Sequence, residues 1–290
     1  MTKIVKSPFS AFLFVIITAA LCVSCETPIN SDSQVLGNVQ APKPAARSEV
    51  ISRTVSSTQL RSWRPRRGKE TLFRSANGKA YCFASSHMRI DADGAPNAYH
   101  PNNTGLDHLG NAGYPNGGWR DILVTDPQNP SRPYVQKRGA HAGHFVSMTA
   151  LFDRSRAQTD PRRYVDASRV PYFVFPKDYF RAAGTGRLGD IGLAIHPVSG
   201  KSTPFVVADI GPNGAALGEV SMALASKISG RPVNPRNGSG APQGKMVYII
   251  FPDSSKKFPW PSSNQNMSAV LETLLVQAGG DVVTACHAAL

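Results

Sequence analysis

The residues with the clearest chemical potential are two carboxylates, Asp209 and Glu219. Past residue 70 the chain carries thirteen aspartates but only two glutamates, Glu219 and Glu272. Glu272 falls mid-helix on a polar face. Glu219 instead closes a glycine-rich loop that begins at Asp209, in the run VVADIGPNGAALGE from Val206 to Glu219. An apolar stretch, Phe205 to Ala208, reads as a strand that delivers Asp209 to its end. Gly211, Pro212, Gly214 and Gly218 then let the chain fold back, so both carboxylates face one rim. Cleavage of a glycosidic bond needs such a pair: one carboxylic acid protonates the leaving oxygen, and one carboxylate activates water or attacks the anomeric carbon. The ten-residue spacing permits either the short or the long separation and does not choose the stereochemical outcome. A purely structural reading stands beside it, with Asp209 capping a turn and Glu219 capping a following helix. In the first turn of a helix, Glu219 would have a lowered pKa and suit the base role, leaving Asp209 as the acid.

Further polar and aromatic residues could build a cleft around that pair. Asp91 and Asp93, in RIDADG, fit turn-forming residues, carboxylates that grip protonated amines, or the start of a calcium loop; no Glu follows Gly94 to finish a calcium site. Asp107 and His108, in GLDHLG, are candidates for the cleft wall, with a turn as the alternative. Tyr99, Tyr114 and Trp119 could stack on the apolar faces of sugar rings or fill the core. His141 and His144 have His-x-x-His spacing between glycines, yet no third ligand at motif spacing accompanies them, so a loop is the better reading than zinc. No metal site and no cofactor is expected. With no glycine-rich phosphate loop ahead of a helix, nucleotide chemistry is not expected either.

The elements that must position these groups are mainly strands. Short apolar runs alternate with Gly, Pro and Asn turns at 79–85, 121–125, 145–151, 171–176, 191–195, 204–210 and 246–251. Two stretches have helical periodicity. Residues 219–229 place Val220, Leu224 and Ile228 on one face with Gly230 as a stop, and residues 268–278 place Val270, Leu271, Leu274, Leu275 and Ala278 on another. The expectation is one mainly β domain over residues 71–290, with a few short helices packed on the sheet.

Ahead of that domain, Lys3 and Lys6 precede an apolar run from Phe9 to Val23, the pattern of a signal peptide over residues 1–25. Ser24-Cys25 could end a lipobox, which leaves lipid attachment to a membrane through Cys25 and simple secretion both open. Residues 26–70 are rich in Ser, Pro, Ala, Arg and Gln and read as a disordered basic linker. Export would allow Cys82 and Cys286 to pair, or both to remain free and buried. The chain has a formal charge of +13, and residues 71–290 alone carry 22 basic and 15 acidic residues. No aromatic-interleaved basic motif accompanies that excess, so a nucleic-acid partner is not expected.

The run VVADIGPNGAALGEVSMALA, Val206 to Ala225, resembles the signature of glycoside hydrolase family 75, the fungal-type chitosanases. Further segments agree in order: CFASSHMRIDADGAPNAYHP from Cys82, GLDHLGNAGYP from Gly105, DILV from Asp121, YVDASRVPYFVFP from Tyr164 and GDIGLAIHPVSGK from Gly189. The resemblance spans about residues 80–250. It implies an endo-acting, cofactor-free hydrolase of β-1,4 linkages in partly deacetylated chitin, working with inversion, with the family's essential Asp and Glu on Asp209 and Glu219. The loop between them is one residue longer here than the family pattern. The strand, the Asp-Ile-Gly-Pro turn and the small-residue helix also look like a piece of a double-psi β-barrel. These readings make the chain an exported monomer acting on a polysaccharide. The alternatives are a hydrolase of peptidoglycan or another anionic wall glycan, favoured by the basic body, and a wall-binding module without catalysis. A domain of net +7 repels chitosan at long range, so a chitosan cleft must be locally acidic, and Asp91, Asp93 and Asp107 are expected to line it.

Overall fold

A computed structural model describes residues 58–65 and 70–290. The expected signal peptide and most of the linker lie outside the described residues. The strands are β1 (Leu60–Trp63), β2 (Leu72–Ser75), β3 (Tyr81–Ser85), β4 (Arg89–Asp91), β5 (Thr125–Asp126), β6 (Asn129–Pro133), β7 (Tyr172–Pro176), β8 (Ile191–Ile195), β9 (Ser202–Gly211), β10 (Glu219–Ser221) and β11 (Met246–Phe251). The helices are α1 (Lys177–Phe180), α2 (Met222–Ser229), α3 (Asn264–Ala278) and α4 (Val282–Ala289). The domain is therefore mainly β with a few short helices. Nine strands form one mixed sheet in the order β1-β2-β3-β11-β8-β9-β7-β10-β4, and β5 and β6 pair separately. The pairs β7 with β9 and β4 with β10 are parallel; the other pairs in the large sheet are antiparallel. No pairing between β1 and β4 closes this sheet into a barrel among the described residues.

The sheet is covered on both faces, which is why its central strands are continuously apolar rather than alternating. In β11, MVYIIF, every residue is buried. Val247, Ile249 and Phe251 point into one core with Val206, Ala208, Tyr172 and Val174, roofed by Met267, Leu271 and Leu274 of α3 and by Val282 and Cys286 of α4. Met246, Tyr248 and Ile250 point into the other, with Phe83, Phe173, Phe175, Phe205 and Val207 beneath Leu224, Ala225 and Ile228 of α2. The period of two along each strand feeds both layers. Cys82 and Cys286 form a disulfide that fixes α4 to β3.

Four expectations change. The stretch assigned to the linker contains β1, because Leu60 and Trp63 have apolar surface to cover while Arg61 and Ser62 stay exposed. Leu60 and Trp63 pack on opposite cores, and Trp63 meets the Tyr81 ring at 4.9 Å. The run 121–125 is mostly not a strand: Trp119–Asp121 is a single 3-10 turn and only Thr125–Asp126 pairs as β5. Residues 145–151 contribute the isolated bridges Val135 to Phe145 and Leu123 to Ser147. Its backbone N–H groups go to scattered partners, Phe145 to the Tyr99 carbonyl, Met148 to Ile122 and Leu151 to Ala208, while Ala150 bonds the Asp209 side chain. The helix read at 219–229 begins only at Met222, after the three-residue strand β10.

Candidate functional site

Asp209 leaves β9 at an irregularity. Tyr172 and Phe173 of β7 face Val206 and Val207, but Val174 faces Asp209, so Ala208 has no opposite number. Such a one-residue shift re-aims the residue that follows it. It sets Asp209 and Val174 on the wall of one cavity of about 600 Å³.

Glu219 reaches that wall from the far end of the loop. Its strand β10 lies between β7 and β4, with Glu219 opposite Arg89 and Ser221 opposite Asp91. Gly218 just before it has φ +129°, and a Cβ there would stand 2.1 Å from the His87 carbonyl oxygen, so only glycine allows this close return. Just after it, the buried Ser221 hydroxyl accepts the N–H of Tyr172 at 2.9 Å and the Leu224 N–H at 3.1 Å, and donates to the Val170 carbonyl at 2.8 Å. Ser221 thus caps α2. Glu219 is three residues ahead of Met222, where the helix begins, and not in its first turn, so the expected lowering by the helix end gives way to burial. Desolvation raises the Glu219 pKa, opposed by the charge of Arg89 and reinforced by Asp107.

The cavity also takes in Asp91, Asp93, Asp107 and Asp121, giving six carboxylates against two cations, Arg89 and Lys177. Three of the carboxylates crowd together: one oxygen each of Asp91, Asp93 and Asp209 lies within 4.8 Å of the other two. Their hydrogen bonds define the arrangement. Asp209 Oδ1 accepts the N–H groups of Ala150 at 2.9 Å and Ile210 at 2.8 Å. Asp91 Oδ1 accepts the Asp93 N–H at 2.8 Å, and Asp93 Oδ1 accepts the Ser147 hydroxyl at 3.0 Å. The Tyr99 hydroxyl also bonds to Asp93 and lines the cavity. Gly94 follows at φ +76°, where a Cβ would collide with the Val165 carbonyl oxygen at 2.1 Å.

Burial and mutual repulsion shift these groups upward. Desolvation, with the charges of Asp209 and Glu219, raises Asp91 and Asp93 well above the ordinary carboxylate range. Desolvation likewise raises Asp209 to about 6, against the pull of its two backbone donors. The upward shifts favour retention of protons within the cluster, and a protonated carboxyl beside an ionised one is the composition of a general acid and base pair. The same three oxygens have the spacing to bridge a hard cation, but they supply only part of the six to eight oxygens calcium takes.

The expected residues divide. Asp91, Asp93, Asp107 and Tyr99 join Asp209 and Glu219 at the cavity. Asp107 is buried, accepts the His108 N–H at 2.7 Å and receives the Asn111 amide on both oxygens at 3.0 Å. His108 does not line the cavity; it is exposed, with Nδ1 3.3 Å from Arg236, whose guanidinium also holds the carbonyls of Asn103, Gly105 and Asp107. Tyr114 and Trp119 do not line the cavity either. Trp119 is buried under the Arg120 guanidinium at 4.3 Å, and Tyr114 packs on Trp119 and Phe145, because their apolar area is worth more in the core than at the cleft. His141 and His144 lie in a turn, where the His100 ring also meets His144 at 4.8 Å.

Arg89, Asn111, Asp121 and Lys177 line the cavity without having been singled out. Arg89 stands two positions before Asp91 in β4 and so shares its face, but a three-residue strand has no period by which the sequence could announce it. Lys177 and Asp121 are brought in by tertiary turns that leave no local pattern. Comparison of the sequence with protein-family models and with curated proteins finds no match.

Proposed function

We propose that the domain is an endo-acting glycoside hydrolase that cleaves β-1,4 linkages in chitosan, with Asp209 as general acid and Glu219 as general base. The observation that carries this reading is the inversion of charge at the cavity. A body with 22 basic and 15 acidic residues gathers six of its acids and only two of its bases around one recess. A polymer of protonated amino sugars is complementary to that recess, whereas an anionic wall glycan would meet a wall of carboxylates. The ordered motifs that resemble glycoside hydrolase family 75 support the same substrate class and carry the expectation of inversion.

The division of roles rests on surroundings. Asp209 stands against Asp91 and Asp93, whose repulsion and burial favour a proton on the cluster; Glu219 stands opposite Arg89, which favours its charge. Asp209 would then give its proton to the leaving oxygen as the glycosidic bond breaks, while Glu219 takes a proton from the water that attacks the anomeric carbon from the opposite face. We extend the reading to the fold. The β9–loop–β10–α2 unit is read as part of a double-psi-like barrel, supported by the parallel pairing of β9 with β7 and of β10 with β4. Export is supported by the disulfide between Cys82 and Cys286, a bond of oxidising compartments. Cys25 is the candidate anchor.

Reducing-end release from soluble chitosan tests the proposal. Wild type is expected to be active, with Asp209→Asn and Glu219→Gln each lowering kcat by about 10²–10⁴-fold, the range general acid and base catalysis supplies. The first product formed should carry the inverted anomeric configuration. A folded wild type inactive on chitosan but active on peptidoglycan would move the substrate to the anionic glycan. Glycan binding without product, unchanged in the double variant, would leave a binding module.

A further inference from the structure

Two cations sit in a cavity otherwise charged by carboxylates, and only one of them has an opposite charge set against it. Arg89 stands across the β4–β10 pair from Glu219 and favours the charge on that carboxylate. Lys177 is different. It is exposed at the start of α1, lines the cavity, and makes no side-chain hydrogen bond or ion pair among the described residues. The neighbouring carboxylate of Asp178 is turned to the loop, where it accepts the Gly214 N–H at 2.9 Å. In the parallel pairing of β7 with β9, Val174 lies opposite Asp209 and Pro176 opposite Gly211. Lys177 comes next, so its backbone stands about 10 Å along the wall from Asp209, at a rise of ~3.3 Å per residue. Gly211 and Pro212 line that part of the cavity with it.

We propose that Lys177 is a specificity-determining residue that selects an N-acetylated sugar at the subsite it faces, an assignment that rests on the chitosan reading above. Each unit of partly deacetylated chitin carries at C2 either an ammonium or an uncharged acetamide. An ammonium brought against Lys177 meets a like charge that no carboxylate has claimed. The acetamide oxygen instead accepts one of the three N–H donors of Lys177 in a charge-assisted hydrogen bond. Further along the wall the preference reverses, because the crowded carboxyl oxygens of Asp91, Asp93 and Asp209, within 4.8 Å of one another, favour the ammonium. Selection at Lys177 thus comes as much from repelling the wrong unit as from holding the right one.

The test compares partly N-acetylated with fully deacetylated chitosan and reads the ratio of the two kcat/KM values. Lys177→Met should lower that ratio about fivefold, chiefly by raising kcat/KM on the fully deacetylated polymer, as expected for removing one unit charge met at about 4 Å through water. Lys177→Arg keeps the charge and should keep the wild-type ratio. Lys227→Met, the same loss of charge at an exposed position of α2, should leave the ratio unchanged. Mass spectrometry of the products should show an acetylated unit at one set position from the cut in wild type and a mixture there in Lys177→Met. A wild type active on chitosan whose ratio survives Lys177→Met overturns this assignment alone, whereas a wild type inactive on both polymers overturns the hydrolase reading with it. An equal change on both polymers, with a common shift of the pH profile, would also overturn it, since Lys177 would then act on the carboxylates and not on the sugar.

Discussion

At the scale of single residues the site works against the fold that contains it. Asp209, half-buried beside Asp91 and Asp93, has a pKa raised to about 6 by desolvation in the native domain, against near 3.9 in an unfolded chain. A raised pKa means that the folded state binds the proton more tightly. The stabilisation from that proton is full below about pH 4 and is lost as pH rises through about 6. At pH 7 the desolvated charge opposes folding, so Asp209→Asn should stabilise the domain there by about 1–3 kcal/mol and give no gain at pH 4. Thermal melts of wild type and variant at the two pH values check this, and an Asn variant less stable at pH 7 would refute the picture of a strained carboxyl cluster. A gain in stability joined to a loss of activity separates a catalytic group from a structural one. Much of this was legible in the sequence: Asp209 and Glu219 stood out by the scarcity of glutamate and the glycine-rich return between them, and Asp91, Asp93 and Asp107 by the charge a cationic polymer requires. Tyr114, Trp119 and His108 lie off the cavity's lining, because residue type does not say which side of a wall a ring occupies.

At the scale of elements the loop between β9 and β10 decides whether the two carboxylates meet. Its far end depends on Ser221, whose hydroxyl serves Tyr172, Leu224 and Val170 at once and so joins β7, β10 and α2. Ser221→Ala leaves two buried N–H groups and a carbonyl without that partner, and should cost about 2–4 kcal/mol. Denaturant unfolding measures the loss; a change below about 0.5 kcal/mol would mean the hydroxyl is dispensable. The strands β3, β7, β8, β9 and β11 could be read directly because their apolar runs are long and bounded by turns. β4 and β10 could not, since three residues carry no period, and their existence depends on the parallel pairing of Arg89–Asp91 with Glu219–Ser221. α4 escaped notice for a related reason: it follows two glycines closely and owes its place to the core beneath it and to Asp281, which accepts the Thr58 N–H at its first turn.

At the scale of the whole molecule two fields of opposite sign share one surface. The domain is cationic beyond the cavity and anionic within it, so a polycation is repelled at a distance and attracted on arrival. Salt weakens the first more than the second, because separations beyond the Debye length of about 10 Å at 0.1 M are screened while contacts inside a recess are not. The kcat/KM on chitosan should therefore rise between about 10 mM and 100 mM salt and fall only at higher concentrations. A monotonic fall from the lowest salt would mean that the cavity's own field dominates at every range. The disulfide between Cys82 and Cys286 has a different consequence on this scale. Every carboxylate at the cavity, from Asp91 to Glu219, lies in the stretch of chain that this bond closes upon itself. A protease that cuts an exposed stretch inside it, such as the one at Asn237, produces two ends but no separable fragments. In an environment rich in proteases the nicked chain would stay in one piece and keep its cleft until a reductant released the fragments.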